Sequence, residues 1–270
     1  TYTSLPLNKF AGGDGTAEKP YLIATAGDFQ QIGTAPSATF QVIDDLDFQS
    51  LPFSGISADF TGSIDGKDHV LTNVVLADNG LFHNVLEVAS IKNLRIYQPE
   101  LTLNKGSEVG IVANSMVTNM ILGTGNSTIE NVHVYRPTVN AAEGYDGMFG
   151  GIVGTTATGS QVIQCSVNGA EINMGEDATA GGIVGKITTG SVVKGCAFSG
   201  ELTAGVAGGI VGESQTGDET ITHCHSNAAL TGYEATGGII GNDGRCIINN
   251  CYAEGSILAK GGNRGTAAGG

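Results

Sequence analysis

The chain has 270 residues, with 43 glycines, 40% hydrophobic residues and only 14% charged residues. It is too apolar to be disordered, and its glycines follow no Gly-X-Y period, which excludes a collagen. The net charge of −14, without a basic patch, argues against nucleic acid or an anionic membrane surface as a partner. The apolar runs are too short for a transmembrane segment in this chain. No signal peptide starts at Thr1, so we expect any signal or anchor to lie outside this sequence.

The first predicted element is a short amphipathic helix near the N-terminus. Thr25 is its expected N-cap, Asp28 the acidic partner three residues on, and Gly33 the stop. Because a solenoid needs its open end covered, we expect residues 1–37 to form an N-terminal segment with a capping helix.

The rest of the chain repeats itself. A Gly-Ile-Val-Gly or Gly-Ile-Ile-Gly motif begins at Gly151, Gly182, Gly209 and Gly238. A six-residue motif keeps phase with it and is apolar at its first and fourth positions. Its copies begin at Ile91, Ile129, Val162, Val193, Ile221 and Ile248. These two positions cannot both face inward on one straight strand, so we predict a corner between them, at Asn93, Asn131 and Asn250, since Asn tolerates left-handed geometry.

A third short strand follows in each repeat, after a Gly or Pro corner. Three short strands in about 29 residues indicate one coil of a solenoid, and parallel crossovers are right-handed. We therefore predict an all-β chain forming a right-handed parallel β-helix of about nine coils over residues 38–270, as one elongated domain. Ala268-Gly269-Gly270 repeats the residues that precede Ile183 and Ile210, and so predicts truncation at the C-terminus within a longer natural protein.

The motifs also resemble a known family. The Gly-Ile-Val-Gly repeats, Asn249–Ala253 followed by Gly255, and the segments Gly12–Thr16 and Phe60–Gly66 are similar to the GLUG-motif repeats of bacterial surface proteins. The resemblance covers residues 10–270. It implies a secreted or surface-anchored bacterial protein, often adhesin-like and found in gut Bacteroides-type organisms. It implies no shared catalytic residues.

Four cysteines occupy one repeat position: Cys165, Cys196, Cys224 and Cys251. In-register coils lie about 4.8 Å apart, so we predict an interior column of free, structural thiols that continues Leu94 and Val132. Cys246 lies outside this column.

Other residues with possible chemistry lack the pattern that the chemistry needs. His223 and His225 flank Cys224, but alternation turns them away from the thiol, so we predict no metal site. The aspartates around Asp45 and Asp65 form no recurring carboxylate pair, and we interpret them as solvated turns. Calcium binding in these acidic loops stays open. We predict no catalytic residues and no cofactor.

One outward face offers a candidate binding surface, which comprises Arg95, Tyr97, His133, Tyr135 and Arg136. We predict a non-catalytic, adhesin-like protein, extracellular or on the outer surface of a bacterium, that binds a polysaccharide or a host surface protein. Two alternatives stay open. One is a carbohydrate-active enzyme or accessory module of the polysaccharide lyase or glycosidase type, and the other is a purely structural stalk.

Overall fold

Each coil consists of short strands that pair in parallel with the same strands of the preceding and following coils. A computed structural model describes residues 10–118, 126–215, 217–261 and 267–269. The strands stack into three long sheets, which we call sheets A, B and C. This arrangement confirms the predicted all-β, right-handed parallel β-helix.

Sheet A has nine strands, and each begins one coil, so we number the coils 1 to 9 from them. The strands are Tyr21–Ile23, Thr39–Val42, Ser63–Asp65, Ser90–Lys92, Thr128–Glu130, Gln161–Ile163, Val192–Lys194, Thr220–Thr222 and Ile247–Asn249. The six-residue repeats stack here as expected, for example Ile91 on Ile129 and Ile129 on Val162. The strand of coil 1 lies inside the predicted N-terminal segment 1–37, and the boundary at residue 38 stays a prediction.

Sheet C holds the glycine-flanked repeats. Its strands are Phe82–Leu86, Ala113–Val117, Val153–Thr155, Val184–Ile187, Val211–Ser214 and Ile240–Asn242. Val153 pairs with Val184, Val184 with Val211, and Val211 with Ile240, all in parallel. Every Gly-Ile-Val-Gly motif therefore stacks on its predecessor, as the repeat spacing predicts.

Sheet B covers the rest of the circumference. Its strands in coils 2 to 5 are Leu46–Asp47, Pro52–Phe53, Val70–Thr72, Val75–Ala77, Arg95–Tyr97, Glu100–Leu103, Glu108–Gly110, His133–Tyr135, Thr138–Ala141 and Met148–Gly150. Those of coils 6 to 9 are Ser166–Asn173, Thr179–Gly181, Ala197–Gly208, His225–Gly237, Tyr252–Ala259 and Ala267–Gly269. The early coils thus have more and shorter segments than the three strands expected, whereas the late coils have long continuous ones.

The first corner of each coil is left-handed where the sequence predicts it. Asn93, Asn131 and Asn250 have φ of 55°, 52° and 53°, a region in which Asn is several-fold enriched. Gln164 and His223 adopt the same conformation at the equivalent position of other coils. The bend turns both the first and the fourth position of the repeat inward, as at Ile91 and Leu94, which are fully buried.

The capping helix spans Ala26–Gln30 and continues as a 3-10 helix over Gln31–Thr34. Thr25 Oγ1 accepts the Asp28 N–H at 3.1 Å, and Asp28 Oδ2 accepts the Thr25 N–H at 3.0 Å, which is a capping box. The α-helix ends before the predicted stop at Gly33, and the 3-10 helix continues past that residue to Thr34. No helix in the described part of the chain is long and apolar enough to cross a bilayer.

We predict that the glycines of the stacked motif are required for close packing. A Cβ at Gly182 would overlap the Phe198 ring and the Gly209 carbonyl oxygen. Gly182→Ala should therefore lower the free energy of unfolding by about 1–3 kcal/mol, the usual cost of overpacking, measured by urea unfolding. The matched control is Gly33→Ala, whose Cβ would meet Ile56 at an ordinary 3.5 Å and should change stability by less than about 0.5 kcal/mol. Equal losses of stability in the two variants would contradict the close packing at Gly182.

Candidate functional site

A concave groove runs along the outside of sheet B, parallel to the helix axis, where the second corner of each coil stacks on the next. We call it the corner groove. It is lined by Ser50, Asn73, Gln98, Glu100, Arg136, Thr138 and Glu171. Its wider part, beside Arg136 and Glu171, has a volume of about 390 Å³. The groove crosses coils 2 to 6, which is roughly 19 Å at one strand spacing per coil.

The groove exists because one residue per coil bends the chain. Asn73, Gln98, Arg136 and Gly169 have φ of 55°, 52°, 50° and 64°. Neighbouring corners are joined by backbone hydrogen bonds of 2.7 Å, from the Gln98 N–H to the Tyr135 carbonyl and from the Arg136 N–H to the Asn168 carbonyl. The corners therefore form a continuous ridge-and-groove surface rather than separate loops.

The groove ends at coil 7 because the strand pairing between coils 6 and 7 shifts by one residue. Val167 pairs with Phe198, but Ala170 pairs with Gly200, so coil 7 has one residue fewer at this point. Gly169 has no counterpart there, and the chain continues as the straight strand Ala197–Gly208. A single-residue difference thus limits the length of the groove.

The structure brings four of the five predicted binding residues together beside the groove. Arg95 Nη2 forms an ion pair with Asp68 Oδ1 at 3.0 Å, and its Nη1 donates to the Tyr135 hydroxyl at 3.3 Å. The rings of Tyr97 and Tyr135 lie 6.3 Å apart, and Tyr97 is 40% exposed. Arg95 pairs with His133 on the next coil. The fifth residue, Arg136, lines the groove itself and is exposed.

His133 belongs to a chain of hydrogen bonds that links four coils. Asp65 Oδ1 accepts from Asn93 Nδ2, and Asn93 Oδ1 accepts from Asn131 Nδ2, each at 2.8 Å. Asn131 Oδ1 lies 2.8 Å from His133 Nε2, and His133 Nδ1 lies 2.8 Å from Ser166 Oγ. The contact between His133 and Ser166 was not predicted from the sequence, because the two residues are one whole coil apart.

The pKa values of His133 and Asp65 in this series of hydrogen bonds are shifted by their surroundings. Burial, then the nearby Arg95 charge, lowers the pKa of His133, while Asp68 opposes them. Burial alone would raise the pKa of Asp65, but hydrogen bonds from Asn93 and Lys67, with the Lys67 charge, outweigh it and lower the pKa. At neutral pH the hydrogen bonds therefore lead from an ionised carboxylate at Asp65 to a neutral imidazole at His133, which contacts Ser166.

The four predicted column cysteines stack on successive coils. Cys165, Cys196 and Cys224 are buried, whereas Cys251 is half-buried, and none is in a disulfide. The Cys196 N–H contacts Cys224 Sγ at 3.4 Å, and the Cys224 N–H contacts Cys251 Sγ at the same distance. Burial raises the pKa of Cys196, and hydrogen bonding to Cys196 followed by burial raises that of Cys224. These thiols are therefore poor nucleophiles.

We predict that thiol reactivity follows burial. In the folded protein, Cys165, Cys196 and Cys224 should resist iodoacetamide, while Cys251 and Cys246 react slowly, since burial and then Asp243 raise the pKa of Cys246 to about 12. Mass spectrometry of the alkylated peptides measures this, and labelling in denaturant, where all five should react, is the control. Rapid modification of Cys196 in the native state would contradict the interior column.

The histidines and aspartates that suggested metal chemistry have other partners. His223 Nδ1 lies 2.8 Å from Thr222 Oγ1, and His225 stacks on Tyr252 at 5.2 Å. Asp45 accepts from the Val70 N–H at 2.9 Å and contacts His69 Nδ1 at 3.1 Å, and these two bonds lower its pKa. Among the described residues, no group of three or more His, Cys, Asp or Glu side chains could hold a metal ion.

Comparison with known proteins gives a relative of much greater length and two solved structures. No protein-family model matches the chain. It is 30% identical to halomucin from Haloquadratum walsbyi, over 57% of this chain and 2% of halomucin. It resembles a Bacteroides ovatus protein named provisionally as an immunoglobulin A1 protease, with a TM-score of 0.76 and 22% identity over 97% of this chain and 87% of that one. It also resembles a structure named IgA1 protease, with a TM-score of 0.68 and 16% identity over 91% of this chain and 21% of that one.

These likenesses establish the fold. They contradict the prediction that the chain is not an enzyme, because both solved structures carry the name of a protease. The prediction rested on the absence of a recurring carboxylate pair and of a converging set of metal ligands. In a β-helix, neighbouring functional groups come from different coils, as His133 and Ser166 do, and short motifs do not reveal them.

Proposed function

We propose that this chain is the β-helix part of an adhesin-like, secreted or cell-surface protein of a bacterium, and that its corner groove binds a glycan lengthwise. The observation that carries the proposal is the groove itself, which is lined by a polar side chain from each of coils 2 to 6 and stops at coil 7. The GLUG-like motifs, the halomucin match and the Bacteroides ovatus neighbour support a surface location.

The periodicity of the groove favours a glycan over a peptide. Coils follow one another at about 4.8 Å, whereas an extended peptide rises only about 3.3 Å per residue and loses step with the coils. A pyranose ring is about as long as one coil spacing, so a linear glycan keeps in step. An unbranched polysaccharide laid along the axis would therefore meet a polar side chain of one coil at each successive sugar.

The side chains suit sugar hydroxyls. Arg136 donates only, Glu100 and Glu171 accept, and the Gln98 amide does both. Arg136 forms no ion pair with any other residue that the structure describes, so its guanidinium is available to a ligand. With carboxylates beside one guanidinium, the groove should prefer neutral glycans to strongly anionic ones.

We predict that glycan binding depends on the groove. On an array of neutral polysaccharides, Arg136→Ala should bind about ten-fold or more weakly, because a hydrogen bond to a charged group is worth about 1.5–3 kcal/mol. Tyr97→Ala should bind about two- to ten-fold more weakly, because an aromatic contact is worth about 0.5–1.5 kcal/mol. Biolayer interferometry on the best array ligand gives the dissociation constants.

The control is Tyr252→Ala, which removes a tyrosine that is 56% exposed on coil 9, three coils beyond the groove. It should bind as the unmodified chain does. Binding to host-matrix proteins in place of glycans, lost in the same groove variants, would replace the glycan with a protein partner. No binding to either class would favour a structural stalk and overturn the proposal.

A further inference from the structure

We propose that Ser166 is a nucleophile with His133 as its general base, and that the chain hydrolyses carboxylic esters at this point of its lateral face. The two side chains are in direct contact, with Ser166 Oγ 2.8 Å from His133 Nδ1, and both are partly exposed on sheet B. A nucleophile, a base within hydrogen-bond reach and a third group that orients the base are the parts of an activated hydroxyl. The inference goes beyond glycan binding and does not depend on what the groove holds.

The hydrogen-bond chain fixes which nitrogen of His133 carries the proton. The ionised Asp65 only accepts, so Asn93 must present its amide nitrogen to Asp65 and its oxygen to Asn131. Asn131 must then present its own oxygen to His133 Nε2, 2.8 Å away. Nε2 therefore carries the hydrogen, and Nδ1 holds a lone pair that faces the Ser166 hydroxyl.

The surroundings of Ser166 complete the arrangement. Asn168 Nδ2 donates to Ser166 Oγ at 2.8 Å, so the hydroxyl accepts one bond and directs its hydrogen to His133. The same amide is a donor within reach of an oxyanion that forms beside Ser166. On the next coil the register pairs Ser166 with Ala197, so the paired side chain there is only a methyl group.

The reaction balances with water as the only co-reactant. Ser166 Oγ attacks the ester carbonyl carbon while its proton passes to His133 Nδ1. The carbon–oxygen bond to the alcohol then breaks, and the alcohol leaves with that proton, which produces an acyl-Ser166 ester. A water molecule gives a proton to His133 and attacks this ester, and Ser166 recovers the proton as the carboxylic acid departs. No oxidant, metal or cofactor takes part.

The position on an open face favours esters over amides. An amide needs stronger stabilisation of the oxyanion and full protonation of a poor leaving group, which enclosed sites supply by excluding water. Here the described donor beside Ser166 is one side-chain amide, on a partly exposed strand. The site lies next to the corner groove, so acyl groups on a bound glycan are suitable substrates.

The test uses the intact chain with p-nitrophenyl acetate and a fluorophosphonate probe. We expect measurable ester hydrolysis and a covalent label on Ser166, located by peptide mass spectrometry. Ser166→Ala should abolish both, and His133→Gln should lower the hydrolysis rate by about 100-fold or more, the usual contribution of a general base. The aryl ester does not need the groove, so failure of this test and failure of glycan binding are separate results.

The matched control is Ser63→Ala. Ser63 is also a partly exposed hydroxyl on a strand, but its oxygen contacts the Thr39 hydroxyl at 3.3 Å rather than an imidazole. This variant should keep the full rate and the label. Thermal unfolding of all variants confirms that each is folded.

The pH profile separates a base from a structural partner. Only neutral His133 can accept the proton, and the lowered pKa means that the rate should reach half its maximum below the usual histidine value of 6.5. The charged groups that act on the ring are Arg95 and, against it, Asp68. Asn131→Asp adds a carboxylate next to Nε2, which favours the imidazolium and should shift the profile to higher pH.

Three results would overturn the proposal. They are an unlabelled Ser166 in the folded protein, equal rates for Ser166→Ala and the unmodified chain, and a pH profile that Asn131→Asp leaves in place. Cleavage of peptides that is lost with Ser166→Ala would keep the nucleophile but overturn the ester as its substrate.

Discussion

Backbone hydrogen bonding between coils, rather than within them, is the constraint on which the whole molecule depends. Each coil lies about one strand spacing, near 4.8 Å, from the next, and no coil can satisfy its own backbone or bury its own apolar face. Equivalent residues are therefore forced into contact, as Ile91, Ile129 and Val162 are in the core. The same constraint applies outside, where His133 and Ser166 are neighbours because their strands pair.

Because equivalent residues stack, the corners of successive coils shape the outer surface of the β-helix. A left-handed residue at the same place in successive coils makes a bend that stacks, and the stacked bends at Gln98 and Arg136 form the corner groove. When coil 7 loses one residue at this position, the bend disappears and the sheet straightens. The length and direction of the groove are thus consequences of backbone conformation, and the side chains that line it provide its chemistry.

Functional groups in such a fold are arranged as columns across coils. The polar chain from Asp65 to Ser166 uses one or two residues from each of four coils, and its members are far apart in sequence. Spacing along the sequence therefore gives no sign of the contact between His133 and Ser166. The protease names of the two solved structures contradict the prediction of a non-catalytic protein.

The sequence by itself determined the coil. We predicted a parallel β-helix of about nine coils, a cap at Thr25 and the stacking of four cysteines from the repeat spacing, the inward apolar positions and the Asn corners. This was possible because a backbone that repeats once per coil requires similar residues at the same position of each repeat. Only the tertiary structure decided how side chains on neighbouring coils meet. It selected the Ser166–His133 contact, the half-buried state of Cys251 and the end of the groove at coil 7. These depend on rotamers and on single-residue shifts in register, and such differences are too small to alter the hydrophobic pattern from which a sequence is interpreted.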